Sequence, residues 1–120
     1  METTFGVGEL SAINATAGSY AEYAPVLHIV GAPNTQLRDG KRRLHHSLGD
    51  GVFNHFIKMV EPVSVARAEI TAENVASEID RVIRMVLKSN APATCCSHLM
   101  WPNCLFITSR RKTTHFRGWI

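Results

Sequence analysis

The last thirty residues of the chain lack acidic side chains altogether, although they carry four basic ones. The first ninety residues lack cysteine and tryptophan, and they carry ten acidic and nine basic side chains. The net charge of +3 therefore belongs to the C-terminal quarter rather than to a basic surface that would suit nucleic acid. The amino-acid composition of the chain changes near Asn90. We expect no nucleic-acid partner.

Long apolar runs are also missing. No run approaches the roughly 18 residues that a membrane-spanning helix needs, and the N-terminus lacks the basic-then-apolar pattern of a secretory signal. We therefore expect no membrane partner and a cytoplasmic location. A chain of 120 residues is long enough for one domain with its own core.

Cysteine is scarce, and its spacing does not favour a metal site. Cys95, Cys96 and Cys104 are the three cysteines, and His98 lies among them. Adjacent cysteines do not have the Cys-x-x-Cys separation that is typical of zinc ligands. We therefore predict no metal ligands in this chain.

The most informative stretch that is present is Thr3–Ala12, where a β-branched run leads into two glycines and the start of an amphipathic pattern. Gly6 and Gly8 permit a close approach of the backbone to another group, so this pattern predicts a strand that ends on a turn. Apolar spacing then predicts a helix from Glu9 to Tyr23. From the residues alone, such a turn occurs in α/β domains both with and without a ligand.

The following segments complete an α/β pattern. The apolar run Val26–Val30 indicates a strand buried on both faces, and together with the first strand and helix it predicts a parallel βαβ unit. Residues 34–51 predict a long, polar, functional loop, and 52–59 fit a short helix. Residues 63–66 predict a short strand. A helix then follows with Thr71 as its N-cap, with its buried face formed by Val75, Ile79, Val82, Ile83 and Val86.

Four segments together carry a resemblance to a known family. They are Thr3-Thr4-Phe5-Gly6-Val7-Gly8-Glu9-Leu10-Ser11-Ala12, Ala17-Gly18-Ser19-Tyr20-Ala21-Glu22, Leu27-His28-Ile29-Val30-Gly31 and Leu44-His45-His46-Ser47-Leu48-Gly49. The chain resembles the thiamine-diphosphate-dependent 2-oxoacid decarboxylases, with fungal pyruvate decarboxylase as the most similar branch. The resemblance implies that residues 1–89 are part of the N-terminal pyrimidine-binding domain, a partial parallel sheet with flanking helices.

The resemblance also implies roles for individual residues. Thr4 and Val7 would line the pocket for the aminopyrimidine ring of the cofactor. His45 and His46 match the catalytic histidine pair, which handles protons near the reacting carbon; imidazole suits this work because it titrates near neutral pH. Without the resemblance, the pair would indicate solvated surface. We assign Glu9 to the helix start or to a subunit interface, since the activating glutamate lies on an earlier segment of the family.

The resemblance implies thiamine diphosphate and Mg²⁺ as cofactors of the full-length enzyme, a 2-oxoacid substrate, and a homo-oligomer, either dimer or tetramer. Pyruvate, phenylpyruvate and indolepyruvate remain open as substrates. Because the activating glutamate and the domain that binds the diphosphate and Mg²⁺ are missing, we expect a fragment that is inactive on its own and binds the cofactor weakly. The alternative is a non-catalytic truncated domain that associates with intact decarboxylase subunits.

Residues 90–120 do not continue the resemblance. When each codon is read one base earlier, the segment that begins at Asn90 permits Arg-Pro-x-Tyr-Leu-Leu-Leu-Pro-x-Asp-Val-Ala, which is similar to the last strand of the family domain. We therefore interpret residues 90–120 as an out-of-frame, poorly ordered tail, and we expect the sheet to lack its last strand.

Overall fold

The structure, a computed structural model, describes residues 1–98 of the chain. This part of the chain contains four strands and four helices. In order, they are β1 (Glu2–Thr4), α1 (Val7–Ala21), β2 (Leu27–Gly31), α2 (Thr35–Asp39), α3 (His55–Met59), a single 3₁₀ turn (Glu61–Val63), β3 (Arg67–Ile70), α4 (Val75–Ser89) and β4 (Ala93–Ser97). In residues 1–98, no helix is long and apolar enough to cross a membrane.

The four strands form one parallel sheet in the order β1-β2-β4-β3. β4 lies between β2 and β3, where Ile29 pairs with Cys95 on one side and Ala68 pairs with Cys95 on the other. The predicted α/β class, with a partial parallel sheet and flanking helices, is confirmed. Because all strands are parallel, their carboxyl ends meet at one edge of the sheet, where α/β proteins place their ligands.

Each face of the sheet carries its own cluster of apolar side chains. α4 covers one face and packs its buried valines against the alanines and isoleucine of β3 and against Ala93 and Cys95 of β4. On the opposite face, Val30 and Cys96 pack with Ile57 of α3 and with Phe5. In β2 only one face is fully buried: His28 and Val30 are fully buried, whereas Ile29 is 42% exposed.

α1 begins just after Gly6 because the side chain of Glu9, in the first turn of the helix, caps its N-terminus. The backbone N–H of Gly6 donates to Oε1 of Glu9 at 3.1 Å, and this carboxylate also lies at the positive end of the helix dipole. Glu9 is buried inside the chain. The assignment of Glu9 to the helix start is confirmed by this cap; its alternative role at a subunit interface stays a prediction.

The presence of β4 differs from the expectation that the sheet lacks its last strand and that order ends at residue 90. α4 ends at Ser89, and the left-handed backbone of its C-cap Asn90 (φ 47°) turns the chain back toward the sheet. Residues 93–96 are small or apolar and fit the narrow space between two strands. The out-of-frame origin of residues 90–120 stays a prediction, and Cys104 lies outside the described residues.

Three local predictions are corrected. The strand predicted at 63–66 lies instead at Arg67–Ile70, because Pro62 favours the 3₁₀ turn before it. The N-cap of α4 is Asn74 rather than Thr71. Val75, Val82 and Val86 form the buried face of α4, whereas Ile79 and Ile83 are exposed.

Candidate functional site

The predicted site residues lie at the carboxyl edge of the sheet. β1 ends at Thr4, and the N–H of Phe5 still donates to the carbonyl of Gly31 at 3.1 Å, so the chain leaves the sheet only at Gly6. Gly6 has a positive φ of 67°, which a residue with a side chain adopts only with strain. This turn holds the start of α1 directly above the ends of β1 and β2.

The carbonyl oxygen of His46 lies against Gly6. A Cβ atom placed on Gly6 would be 1.4 Å from that oxygen, so only glycine leaves room for it. The rings of Phe5 and His46 are edge-to-face, with their centroids 6.4 Å apart. The structure thus brings the predicted histidine pair onto the turn that connects Thr4 with Val7, although about forty residues separate them in the sequence.

Hydrogen bonds within the loop fix the shape of the histidine pair. The ring centroids of His45 and His46 are 4.5 Å apart, and both side chains are exposed. The hydroxyl of Ser47 donates to the carbonyl of Leu44 at 2.5 Å and accepts from the N–H of Gly49 at 3.2 Å. Ser47 therefore closes the loop on both sides of the pair and presents the two imidazoles to solvent.

A second close backbone contact fixes the same loop further along the chain, and it was not predicted from the sequence. Gly51 has a φ of 76°, and a Cβ atom there would be 2.8 Å from the carbonyl oxygen of Lys41. The carboxylate of Asp50 accepts from the N–H of Val52 at 3.0 Å and contacts Nε2 of His55 at 2.6 Å. The backbone hydrogen bond and the His55 contact lower the pKa of Asp50 from its ordinary value of 3.8. The Asp-x-Val turn before a helix is the signal that could have revealed this point.

Thr4 and Val7 both lie at the rim of the site. Thr4 is exposed at the end of β1, and Val7 is 51% exposed in the first turn of α1. An apolar side chain that is half exposed offers a surface on which a flat ring can pack. The carboxyl group of Glu9 is not available at this rim, because Gly6 N–H and the Cys96 thiol both donate to it.

Beneath the site, burial shifts the pKa values of Glu9 and of two cysteines. Burial raises the pKa of Glu9 above its ordinary value of 4.5, although the hydrogen bonds from Gly6 and Cys96 oppose this effect. Burial likewise raises the pKa of the Cys95 thiol to about 11, and it raises the pKa of Cys96 further, with the Glu9 carboxylate as the next cause. Both thiols are therefore protonated near neutral pH and poor nucleophiles. Neighbouring residues in a strand point to opposite faces, so Cys95 and Cys96 cannot ligate one ion.

His28 is a packed residue of β2, as predicted. Its Nε2 forms a hydrogen bond with the hydroxyl of Thr3 at 2.9 Å, and the side chain is fully buried. Thr94 is its register partner on β4 and is also fully buried. Within residues 1–98, neither Nδ1 of His28 nor the hydroxyl of Thr94 has a hydrogen-bond partner. Burial lowers the pKa of His28 from its ordinary value of 6.5, and the positive N-terminal amino group adds to this.

We expect the chain to lose stability as the pH falls below about 6.5, because the unfolded state then binds a proton that the folded state excludes from His28. The slope reaches at most about 1.4 kcal/mol per pH unit for one proton. The raised pKa of Glu9 acts with the opposite sign and favours the folded state at low pH. Urea unfolding at pH 7.5 and 5.5 measures how the free energy of unfolding changes with pH. The substitution His28→Gln should remove this pH dependence, whereas His45→Gln should leave it in place. An equal pH dependence in both variants would contradict the assignment.

Comparisons with known proteins bear on this site. No protein-family profile matches the chain. Three curated relatives are each aligned over 90 residues, or 75% of this chain: the "Alpha-keto-acid decarboxylase" proteins of Mycobacterium leprae (strain TN), at 54% identity, of Mycobacterium ulcerans (strain Agy99), at 52%, and of Mycobacterium avium (strain 104), at 51%. The chain is similar to alpha-keto-acid decarboxylases.

The aligned region covers a large share of this chain and a small share of each relative. It includes three quarters of this chain but only 16% of each relative, so the chain spans about a sixth of the length of the curated relatives it matches. The sequence relationship to 2-oxoacid decarboxylases agrees with the resemblance stated above. The fungal pyruvate decarboxylase branch stays a prediction.

Proposed function

We propose that the chain is a piece of a thiamine-diphosphate-dependent 2-oxoacid decarboxylase, and that it carries one wall of the site for the aminopyrimidine ring. The observation that supports this most is the contact of the His46 carbonyl with Gly6, because it joins the histidine pair to the Thr4–Val7 turn. The similarity to alpha-keto-acid decarboxylases supports the same reaction class. The reaction is the release of CO₂ from pyruvate or a related 2-oxoacid to leave an aldehyde.

The described residues fit one side of such a ring. Val7 supplies exposed apolar surface, and Thr4 supplies a hydroxyl at the end of β1. The cofactor supplies the electron sink for decarboxylation when it is bound in the whole enzyme. The carboxyl group of Glu9 lies beside the turn, and the fold already uses it to cap α1. The turn can therefore pack against the ring, but Glu9 is not free to activate it.

His45 and His46 would act as proton donors and acceptors at the rim. Both imidazoles are exposed, and Ser47 holds the loop that carries them. General acid–base work needs a group that can donate and accept a proton and that reaches the reacting atom, and the imidazole side chain meets the first need. The second need is met only when the rest of the enzyme places a substrate next to them.

A titration with thiamine, which carries the aminopyrimidine ring without the diphosphate, tests the proposal. We expect millimolar binding that shifts the amide signals of Val7 and His46 in a ¹H–¹⁵N spectrum. We also expect no CO₂ release from pyruvate by the purified chain with thiamine diphosphate and Mg²⁺. The substitution Val7→Lys should abolish the shifts, while Ile83→Lys, at an apolar residue of comparable exposure on α4, should not.

If thiamine does not shift the amide signals, or if the shifts persist in Val7→Lys, the proposed ring surface is overturned. Measurable CO₂ release would overturn the inactivity of the isolated chain and leave the ring surface supported. Association with intact decarboxylase subunits stays the alternative prediction, and co-purification with a full-length enzyme would reveal it.

A further inference from the structure

Two aspartates of the chain are followed directly by a glycine, at Asp39-Gly40 and at Asp50-Gly51. Aspartate can isomerise at such a pair, because the glycine has no side chain to shield the backbone nitrogen that attacks the aspartate carboxyl group. The ring that forms then reopens through either of its two carbonyl carbons. The amino-acid sequence does not distinguish the two pairs, whereas the structure does.

The first pair is protected by the end of α2. Asp39 is the last residue of that helix, and the N–H of Gly40 donates to the carbonyl of Gln36 at 3.0 Å. The carboxylate of Asp39 also accepts from Nε of Arg38 at 3.0 Å. Attack of the Gly40 nitrogen on Asp39 therefore requires the last turn of the helix to open first.

The second pair lies in the loop after the histidine pair and has no such protection. Oδ1 of Asp50 accepts from the N–H of Val52, two residues further on, at 3.0 Å. This is an Asx turn, which folds the carboxyl group toward the intervening peptide, whose nitrogen is that of Gly51. Within residues 1–98, the N–H of Gly51 donates no hydrogen bond. Gly51 is also buried, so water does not compete for this N–H.

The second oxygen of the Asp50 carboxylate lies beside a proton donor. Oδ2 is 2.6 Å from Nε2 of His55, the first residue of α3. A carboxylate oxygen can leave as water only when it receives protons, and an imidazolium ring can donate one. The loop thus places a nucleophile on one side of the Asp50 carboxyl group and a proton donor on the other.

We propose that Asp50 is a modification site, at which the chain converts its own aspartate to isoaspartate. The Gly51 nitrogen forms a bond with Cγ of Asp50, and the bond from Cγ to Oδ2 breaks. The oxygen leaves as water with the amide proton of Gly51 and one proton from the His55 imidazolium. Water then adds to the ring, and addition at the backbone carbonyl carbon of Asp50 gives isoaspartate, whereas addition at Cγ restores aspartate. One water is lost and one is gained, so the mass is unchanged and no oxidant or reductant takes part.

The modification changes the loop that carries the histidine pair. In isoaspartate the backbone runs through Cβ and Cγ, so the chain before Gly51 becomes one atom longer. Gly51 lies so close to the carbonyl oxygen of Lys41 that a Cβ atom there would be only 2.8 Å away, so the longer backbone has to displace this contact. This consequence does not depend on the proposed decarboxylase function.

Peptide mapping of the full chain after incubation at pH 7 and 37 °C tests the proposal. An endoprotease that cleaves before aspartate does not cleave before isoaspartate, so it reports on each pair separately. In the folded chain we expect isoaspartate at Asp50 to form at least about fivefold faster than at Asp39, which is the factor that one ordinary hydrogen bond on Gly40 supplies. In guanidinium chloride, where the sheet is unfolded, the two pairs should react at similar rates.

Three variants complete the test. Asp50→Glu should abolish the reaction at this position, because the longer side chain forms the ring much more slowly, and Asp39→Glu should leave the reaction at Asp50 unchanged. His55→Gln keeps a hydrogen-bond donor but no transferable proton, so it should slow the reaction in the folded chain and not in guanidinium chloride. Equal rates at Asp39 and Asp50 in the folded chain, no isoaspartate at Asp50 in the time that the unfolded chain converts both, or an unchanged rate in folded His55→Gln would overturn the proposal. If that variant does not fold, the comparison of the two pairs in the unmodified chain decides.

Discussion

The substitution Gly6→Ala should destabilise the chain by about 2 to 5 kcal/mol. A side chain at a φ of 67° costs about 1–2 kcal/mol. In addition, the new Cβ would overlap the carbonyl oxygen of His46, so the histidine loop would have to move, which adds strain of order 1–3 kcal/mol. Urea unfolding followed by circular dichroism measures the loss.

Gly18→Ala is the matched control for this variant. Gly18 lies inside α1, and a Cβ atom there would meet no other atom within 4 Å. Replacing a helical glycine by alanine should stabilise the chain by about 0.5–1 kcal/mol, because alanine loses less backbone entropy on folding. If Gly6→Ala proves as harmless as Gly18→Ala, the His46 carbonyl does not lie on the turn, and the site loses its main structural support.

The substitution Ala93→Asp should unfold the chain. Ala93 is fully buried at the start of β4 and packs with the residues of α4. A carboxylate in this position would have neither water nor a charged partner, at a cost of about 4 kcal/mol or more. This is comparable with the whole stability of a small domain, which is about 5–15 kcal/mol. Circular dichroism at 25 °C should show loss of the helical signal.

Ala76→Asp introduces the same side chain on the exposed face of α4, within its first turn. An acidic residue at the start of a helix is slightly favourable, so this control should be stable. A chain that stays folded with Ala93→Asp would show that residues 93–97 do not form the middle of the sheet.

Some of the fold follows directly from local patterns in the sequence. The apolar run at Val26–Val30 predicts β2, observed at Leu27–Gly31, and the spacing of Leu10, Ile13 and Ala17 predicts α1. Glu9 was assigned to the helix start, and its capping bond to Gly6 shows why. Each of these features depends on residues within one or two turns of one another.

The features that were missed depend on contacts between distant segments. β4 has no strong strand signal of its own, and its place is set by the gap between β2 and β3. Ile79 and Ile83 have the helical spacing of a buried face, but both are exposed in the structure. The sequence also indicated that Gly6 allows a close approach, but it did not show that the approaching group is the His46 carbonyl.

β4 joins β2 to β3 in the middle of the sheet and so holds the candidate site at the carboxyl edge. Cys95 and Cys96 report on this directly, because Cys95 packs under α4 and Cys96 packs on the opposite face with Val30 and Ile57. In a Cys104→Ser variant at pH 8, Ellman's reagent should modify neither thiol within minutes, and it should modify two in concentrated urea. Two thiols that react in the absence of urea as fast as in the unfolded chain would contradict the account.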